Sequence, residues 1–217
     1  MNHDMPSEDV KMRLLRAVEA APAPTRAAES KRAAKLVGGA VLLSFLTYLA
    51  LGGVRMNGRP TSLVIGTVAG TAIIAALGIW AAVGRGHAML GRASSWLIAV
   101  VIASPLALLA WKVLWSAQYR NGLDEWPSRI GLRCLGISLT LGAFPLAALL
   151  FTRRGTDAVH PGRAGMAIGV GLGLGAATLV DAWCPVAYVP HLLLGHILPL
   201  ALLGAVGLWL GRKILAP

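Results

Sequence analysis

Six apolar stretches occupy most of the chain after residue 35, and they restrict its fold more than any other feature. They lie at about residues 36–53, 61–84, 94–116, 131–152, 164–182 and 192–211. A helix needs roughly 20 mostly apolar residues to cross about 30 Å of hydrocarbon, so each stretch is close to the length of a membrane span. The connectors between them, such as residues 55–60 and 153–157, are too short to hold a soluble domain.

The composition agrees with spans that face lipid. Apolar residues make up 56% of the chain and charged residues 13%, against roughly 25% charged residues in an ordinary soluble domain. Hydrocarbon cannot hydrogen-bond the backbone, so the spanning structures available are helices and closed barrels, and the stretches lack the alternating pattern of barrel strands. The sequence predicts an all-α polytopic membrane protein with a six-helix transmembrane domain at residues 36–217.

The distribution of Lys and Arg predicts the orientation of these helices. With the N-terminus in the cytoplasm, 14 of the 20 basic residues lie on the inner side. The other six lie outside, and they are Arg55, Arg59, Lys112, Arg120, Arg129 and Arg133. Both termini are therefore predicted to be cytoplasmic. The net charge of +11 fits this topology and attraction to membrane lipids. Direct nucleic-acid binding is not predicted, because the inner basic residues are divided among four segments.

Residues 1–35 form a cytoplasmic tail that differs from the rest of the chain, with five of the nine acidic residues and seven of the basic ones. A short amphipathic helix is predicted from about residue 8 to 20, before a linker that contains Pro22 and Pro24. Its apolar face carries Val10, Leu14, Leu15 and Val18. A helix of this length is marginal alone in water. The face can lie on the membrane, dock into a groove on a soluble partner, or belong to an unfolded leader.

Two cysteines, Cys134 and Cys184, fall at the outer ends of their helices in this topology. A disulfide, a thiol sensor and a soft-metal site are all chemically open to them, as is a structural role as small buried residues. A metal site made of both cysteines with His191 and Asp181 is conceivable, but no tight ligand spacing supports it. His191 is predicted to lie at the membrane interface, and His196 to face the interior of the bundle.

The fifth stretch is built for close packing between helices. Gly165, Gly169 and Gly173 recur every four residues, a spacing that lets a neighbouring backbone approach. The chain contains no phosphate-binding loop, nucleophile elbow or His-Glu-x-x-His motif, so neither a cofactor nor an enzymatic activity is predicted. No acidic residue after position 35 falls near the middle of a span, which argues against proton relay and cation transport.

Several of these features together resemble the NrsF family. They are Arg133-Cys134-Leu135 opening a span, Pro145, the paired arginines at the exit of residues 149–155, the glycine-rich fifth helix that ends at Cys184-Pro185, and then His191 and His196. The resemblance covers about residues 30–215. It implies a six-span anti-sigma factor of the bacterial inner membrane that restrains an extracytoplasmic-function sigma factor and has two characteristic cysteines on its outer side.

The resemblance and the residues together favour a membrane-bound anti-sigma factor. In this hypothesis the tail and inner loops hold the sigma factor, and modification of Cys134 and Cys184 by oxidant or heavy metal releases it. A small permease-like transporter is the alternative, and a thiol oxidoreductase is disfavoured because the chain has no CxxC pair. The sequence does not identify the sigma factor, the stimulus or the oligomeric state. It also leaves open whether the cysteines use a disulfide or a metal, and whether the tail or the inner loops bind the partner.

Overall fold

The computed structural model describes residues 9, 12–13, 16, 26–54, 60–83, 93–117, 131–154, 159–184, 186 and 188–216. Their regular structure is helical and contains no strand. The long helices are α1 (Arg26–Ala50), α2 (Thr61–Val83), α3 (Ser94–Ser116), α4 (Leu132–Thr152) and α5 (Pro161–Trp183). The last span consists of α6 (Val189–Leu192), a π-helical segment (Leu193–Ile197) and α7 (Leu198–Ile214). Six spans in the described residues are long and apolar enough to cross a membrane, which confirms the predicted all-α fold with six spans.

The first and last spans are longer than the apolar stretches that predicted them. Helix α1 begins at Arg26, ten residues before the predicted start, because residues 26–35 are rich in Ala, Lys, Arg and Glu, which favour helix. The last span begins at Val189, with Pro190 in its first turn. Proline is well tolerated there, because the first N–H groups of a helix have no partner within it.

The chain divides into two units, Met1–Lys35 and Leu36–Pro217. In the first unit, Asp9, Met12, Arg13 and Arg16 are helical and exposed. Asp9 and Arg13 form an ion pair of 3.0 Å at a spacing of four residues, which is a common helix contact. The predicted apolar face of Val10, Leu14, Leu15 and Val18 lies outside the described residues.

Helix α5 is the centre of the second unit and packs against α2, α3, α4 and α7. Its contact with α7 is made backbone to backbone. A Cβ atom at Gly165 would collide with the carbonyl oxygen of Gly207, and one at Gly169 would collide with that of Leu203. At Gly173 the Cβ would lie 3.1 Å from the Cα of Leu200. These three glycines define the glycine seam, along which the two helices approach too closely for any side chain.

Helix α1 lies at the edge of the bundle. Of its described side chains, only Ser44 and Tyr48 are buried. Ser44 donates a hydrogen bond of 2.8 Å from Oγ to the carbonyl oxygen of Leu141 in α4. That carbonyl would ordinarily accept from the residue four positions later, which here is Pro145 and has no N–H. The serine therefore satisfies an acceptor that the proline leaves without its helical partner.

Helix α3 is oriented by two tryptophans that pack on α2. The rings of Trp111 and Trp115 stack with centroids 5.3 Å apart, and they cover Gly66 and Gly70, where a Cβ would collide with them. Because these rings turn toward α2, the neighbouring position, Lys112, faces the interior. This orientation brings a charged side chain into the bundle.

Candidate functional site

A buried polar cluster lies at one end of the bundle, where α3 and α5 end and where α4 and the last span begin. Cys134 is the third residue of α4, and Cys184 follows α5 directly. Their side chains are 3% and 6% exposed, and His191 and His196 are also buried. One ligand atom from each of these four residues lies within 4.8 Å of those of the other three. We call this group the thiol–imidazole cluster.

The two cysteines are reduced and do not form a disulfide. Cys184 Sγ lies 3.2 Å from His191 Nε2, and the sulfur atoms of Cys134 and Cys184 lie within 4.8 Å of each other. Each thiol therefore has a second sulfur and an imidazole nitrogen close by in the same buried volume. This chemistry allows oxidation, alkylation or coordination of a soft metal.

A glycine at the start of α4 brings the last span close to Cys134. Gly131 has a φ of +96°, which favours glycine because other residues rarely adopt it. A Cβ there would lie 3.1 Å from the carbonyl oxygen of His191. On the facing segment, a Cβ at Gly195 would lie 3.0 Å from the Cβ of Cys134. Both contacts require small residues, and together they set the distance from Cys134 to the two histidines.

The π-helical segment places both histidines at the same site. Pro199 has no N–H to donate to the carbonyl of Gly195, so a regular α-helical bond is missing at this point. The N–H of Leu198 donates instead to Leu193, five residues back. A π-helical turn of this kind is frequent at functional sites. The rings of His191 and His196, five residues apart, have centroids 5.6 Å apart.

Behind the thiol–imidazole cluster, three helices contribute a buried ion triad of Lys112, Asp181 and His196. Lys112 Nζ forms an ion pair with Asp181 Oδ1. The same Oδ1 lies 3.1 Å from His196 Nδ1, and Lys112 Nζ lies 3.1 Å from that nitrogen. The three side chains are 4%, 1% and 0% exposed. Two opposite charges can be buried at this position because they pair and are hydrogen-bonded.

The sequence analysis did not predict this triad. Lys112 falls within the third apolar stretch and was counted with the basic residues of the outer side, whereas its side chain is enclosed in the bundle interior. The lack of acidic residues near mid-span was taken to argue against proton relay and cation transport, and Asp181, which is enclosed near the end of α5, was not recognised as the partner of Lys112. Hydropathy identifies where a span ends but not which face of the helix a charge occupies. The sequence signal for this burial was a lysine beside Trp111 and three residues before Trp115. If the two large rings pack on one neighbouring helix, the lysine faces another side of α3.

The structure also changes the composition of the conceivable metal site. The sequence suggested Asp181 as the fourth ligand beside Cys134, Cys184 and His191. The fourth residue of the cluster is instead His196, and Asp181 contacts that histidine from behind. His191 is 2% exposed, so its side chain is enclosed in the bundle. His196 faces the interior, as predicted.

A family model described as NrsF, negative regulator of sigma F, matches residues 17–216 of the chain. The protein belongs to the NrsF family. Among curated proteins and solved structures, neither comparison gives a match. Membership makes this NrsF protein an anti-sigma factor whose partner is a sigma factor.

Proposed function

We propose that this protein is an anti-sigma factor of the bacterial inner membrane that sequesters an extracytoplasmic-function sigma factor at its cytoplasmic face. It releases that factor when Cys134 and Cys184 are modified by oxidant or heavy metal. The observation that carries the proposal is the thiol–imidazole cluster, in which two reduced cysteines from α4 and the end of α5 share one buried volume with two histidines. Family membership supplies the regulatory context.

The position of the cluster supports a role in signal transfer. Its residues come from the start of α4, the end of α5 and the last span, and α5 packs against four other helices. A change in bonding at the cysteines would therefore act on helices that cross the bundle. With both termini in the cytoplasm, as the basic residues favour, these helices link an outer-side chemical event to the inner face.

The sensing role is tested with Cys134→Ser and Cys184→Ser, each measured for transcription from a sigma-dependent reporter and for protein level in the membrane. Each variant is expected to hold reporter output in one state that oxidant or cadmium no longer changes, at near-normal abundance, because serine keeps the volume but not the thiol. A normal response in both variants at normal abundance would contradict the proposal. Reduced abundance with a normal response would indicate a structural role.

The partner-binding face is proposed to be the tail face of Val10, Leu14, Leu15 and Val18. The variant Leu14→Asp/Leu15→Asp removes about 1.5–3 kcal/mol of burial per side chain and should abolish co-purification of the sigma factor while insertion into the membrane is retained. Met12 is 49% exposed, and Met12→Asp adds a charge on the opposite face of the predicted helix as a matched control. If both variants retain the sigma factor equally, the inner loops become the binding candidates.

The alternative function, a small permease-like transporter, is favoured by one observation, the buried ion triad, because charged groups within spans often mark transport pathways. Lys112 and Asp181 neutralise one another, so the triad also has a purely structural explanation. The co-purification experiment separates the two functions, because a transporter has no reason to retain a sigma factor.

A further inference from the structure

We propose that Cys134, Cys184, His191 and His196 form a four-ligand site for a divalent cation of the zinc group, such as Zn²⁺ or Cd²⁺. The site gives a chemical identity to the thiol modification in the proposed function. Only its regulatory consequence rests on that function, because binding of the ion itself depends on the four side chains alone.

The spacing of the four residues fits tetrahedral coordination. Zinc binds thiolate sulfur at about 2.3 Å and imidazole nitrogen at about 2.0–2.1 Å, so ligand atoms around one ion lie roughly 3.3–3.8 Å apart. In the structure all four ligand atoms lie within 4.8 Å of one another, and the pair Cys184 Sγ and His191 Nε2 is at 3.2 Å. Side-chain movements of about an ångström bring the atoms to coordination distance.

His196 is oriented as a metal ligand before any ion binds. Its Nδ1 lies 3.1 Å from Asp181 Oδ1 and 3.1 Å from Lys112 Nζ, and the tautomer whose Nδ1 proton is donated to this carboxylate leaves the lone pair on Nε2. Nε2 is buried and makes no hydrogen bond to the residues that the structure describes. A histidine that donates one ring N–H to a carboxylate while its other nitrogen binds the ion is the usual arrangement at zinc sites. Asp181 thus acts as a positioning residue.

The charge of the site selects the class of ion. Lys112 and Asp181 cancel each other, so the ion pair behind the cluster adds no net charge to it. Two thiols that each release a proton to solvent provide two negative charges, and two neutral imidazoles add none. A divalent ion therefore forms a complex with no net charge, which a buried site tolerates best. Sulfur and imidazole ligands favour zinc-group ions over magnesium or calcium, which prefer oxygen.

The ligands join three parts of the bundle, namely the start of α4, the residue after α5 and the last span. A bound ion therefore adds coordination bonds to the packing and the polar contacts that hold these elements together in its absence. If the proposed function is correct, occupancy of the site is the event that changes the bundle.

The test uses the full chain, purified in detergent under reducing conditions and stripped with a chelator, and then titrated with Co²⁺ and with Zn²⁺. We expect one ion per chain, with visible cobalt bands of tetrahedral intensity and a near-ultraviolet band from thiolate-to-cobalt charge transfer, both displaced by Zn²⁺. Cys134→Ser and Cys184→Ser should each weaken the charge-transfer band and lower affinity. His191→Ala and His196→Ala should alter the visible bands, and Asp181→Asn should weaken affinity roughly 10–100-fold.

His160 precedes α5 at the opposite end of the bundle, so His160→Ala is the matched control and should bind cobalt as the unaltered chain does. Helix content and thermal unfolding of each variant are recorded, and His196→Gln replaces His196→Ala where the latter fails to fold. Failure of the unaltered chain to bind Co²⁺ or Zn²⁺ above the level of Cys134→Ser/Cys184→Ser overturns the site. Cobalt spectra unchanged by both histidine variants overturn the assigned ligands.

Sigma-factor co-purification is measured in the same preparations. An anti-sigma complex without metal binding overturns the site alone, while metal binding without a sigma complex overturns the proposed function alone.

Discussion

Helices α5 and α1 show that apolarity does not decide which span is buried in this bundle. Helix α5 is the least apolar of the six spans, yet 17 of its 23 residues are buried, whereas α1 is more apolar and lies at the edge. Both helices contain glycines. At Gly165 and Gly169 a Cβ would strike α7, whereas at Gly38 and Gly39 nothing lies within 4 Å. Lipid is as apolar as leucine, so burial here follows from close fit and paired polar groups.

The largest expected effect comes from the charge that α5 buries. Lys112→Met leaves the Asp181 carboxylate enclosed without its cation, and removal of one member of a buried pair typically costs about 3–5 kcal/mol. Unfolding of the purified protein in a dodecyl sulfate titration should show a loss of that size. The double variant Lys112→Met/Asp181→Leu should recover most of the loss. If Lys112→Met alone unfolds like the unaltered chain, the ion triad does not stabilise α5 in the bundle.

Alanine substitution in the glycine seam should lower the stability of the protein, whereas the same substitution at an α1 glycine should leave stability unchanged or raise it. Gly165→Ala forces a Cβ against the backbone of Gly207, and overpacking of this kind costs about 1–3 kcal/mol. The matched variant Gly39→Ala meets open space and should be neutral or stabilising by up to about 1 kcal/mol, because alanine favours helix. The dodecyl sulfate titration measures both. Equal effects at the two positions would contradict the distinction between the helices.

The smallest effect is expected where α1 contacts α4. Ser44→Ala removes the donor to the Leu141 carbonyl, and hydrogen bonds between helices in membranes are worth about 1 kcal/mol. In a Pro145→Ala background the residue at 145 supplies its own N–H to that carbonyl, so the effect of Ser44→Ala should shrink. Thr47 is partly buried and donates to the Leu43 carbonyl of its own helix, so Thr47→Val is the control. An effect of Ser44→Ala that is unchanged in the Pro145→Ala background would show that the two residues are not coupled.

The sequence was sufficient to predict the six spans, because span length and hydropathy follow from the thickness of the bilayer. It was less reliable at the ends of spans. Helix α1 continues into residues 26–35, whose polar side chains are good helix formers. The π-helical segment before Pro199 was not predicted, since a proline near the start of a helix is ordinary and only the facing residues show that a wide turn forms.

The candidate site was predicted only in part. Cys134, Cys184, His191 and His196 were each recognised as unusual, but the conceivable metal site was drawn with Asp181, whereas the group that lies together in the fold contains His196. Lys112 was counted with the outer-side basic residues because it lies four residues before the end of α3, and its burial was not predicted. One turn of helix separates an exposed position from an enclosed one, and the direction of a side chain depends on which neighbours the helix meets.

The sequence by itself determined that this chain is a six-span helical membrane protein, because every backbone polar group in hydrocarbon must be paired within the chain. Only the tertiary structure decided which polar side chains meet. Cys134, Cys184, His191, His196, Lys112 and Asp181 come from four spans and their ends. Their proximity depends on helix rotation set by the glycine seam, the tryptophans of α3 and the turn at Pro199. Those contacts are made between segments far apart in the chain, so no local pattern encodes them.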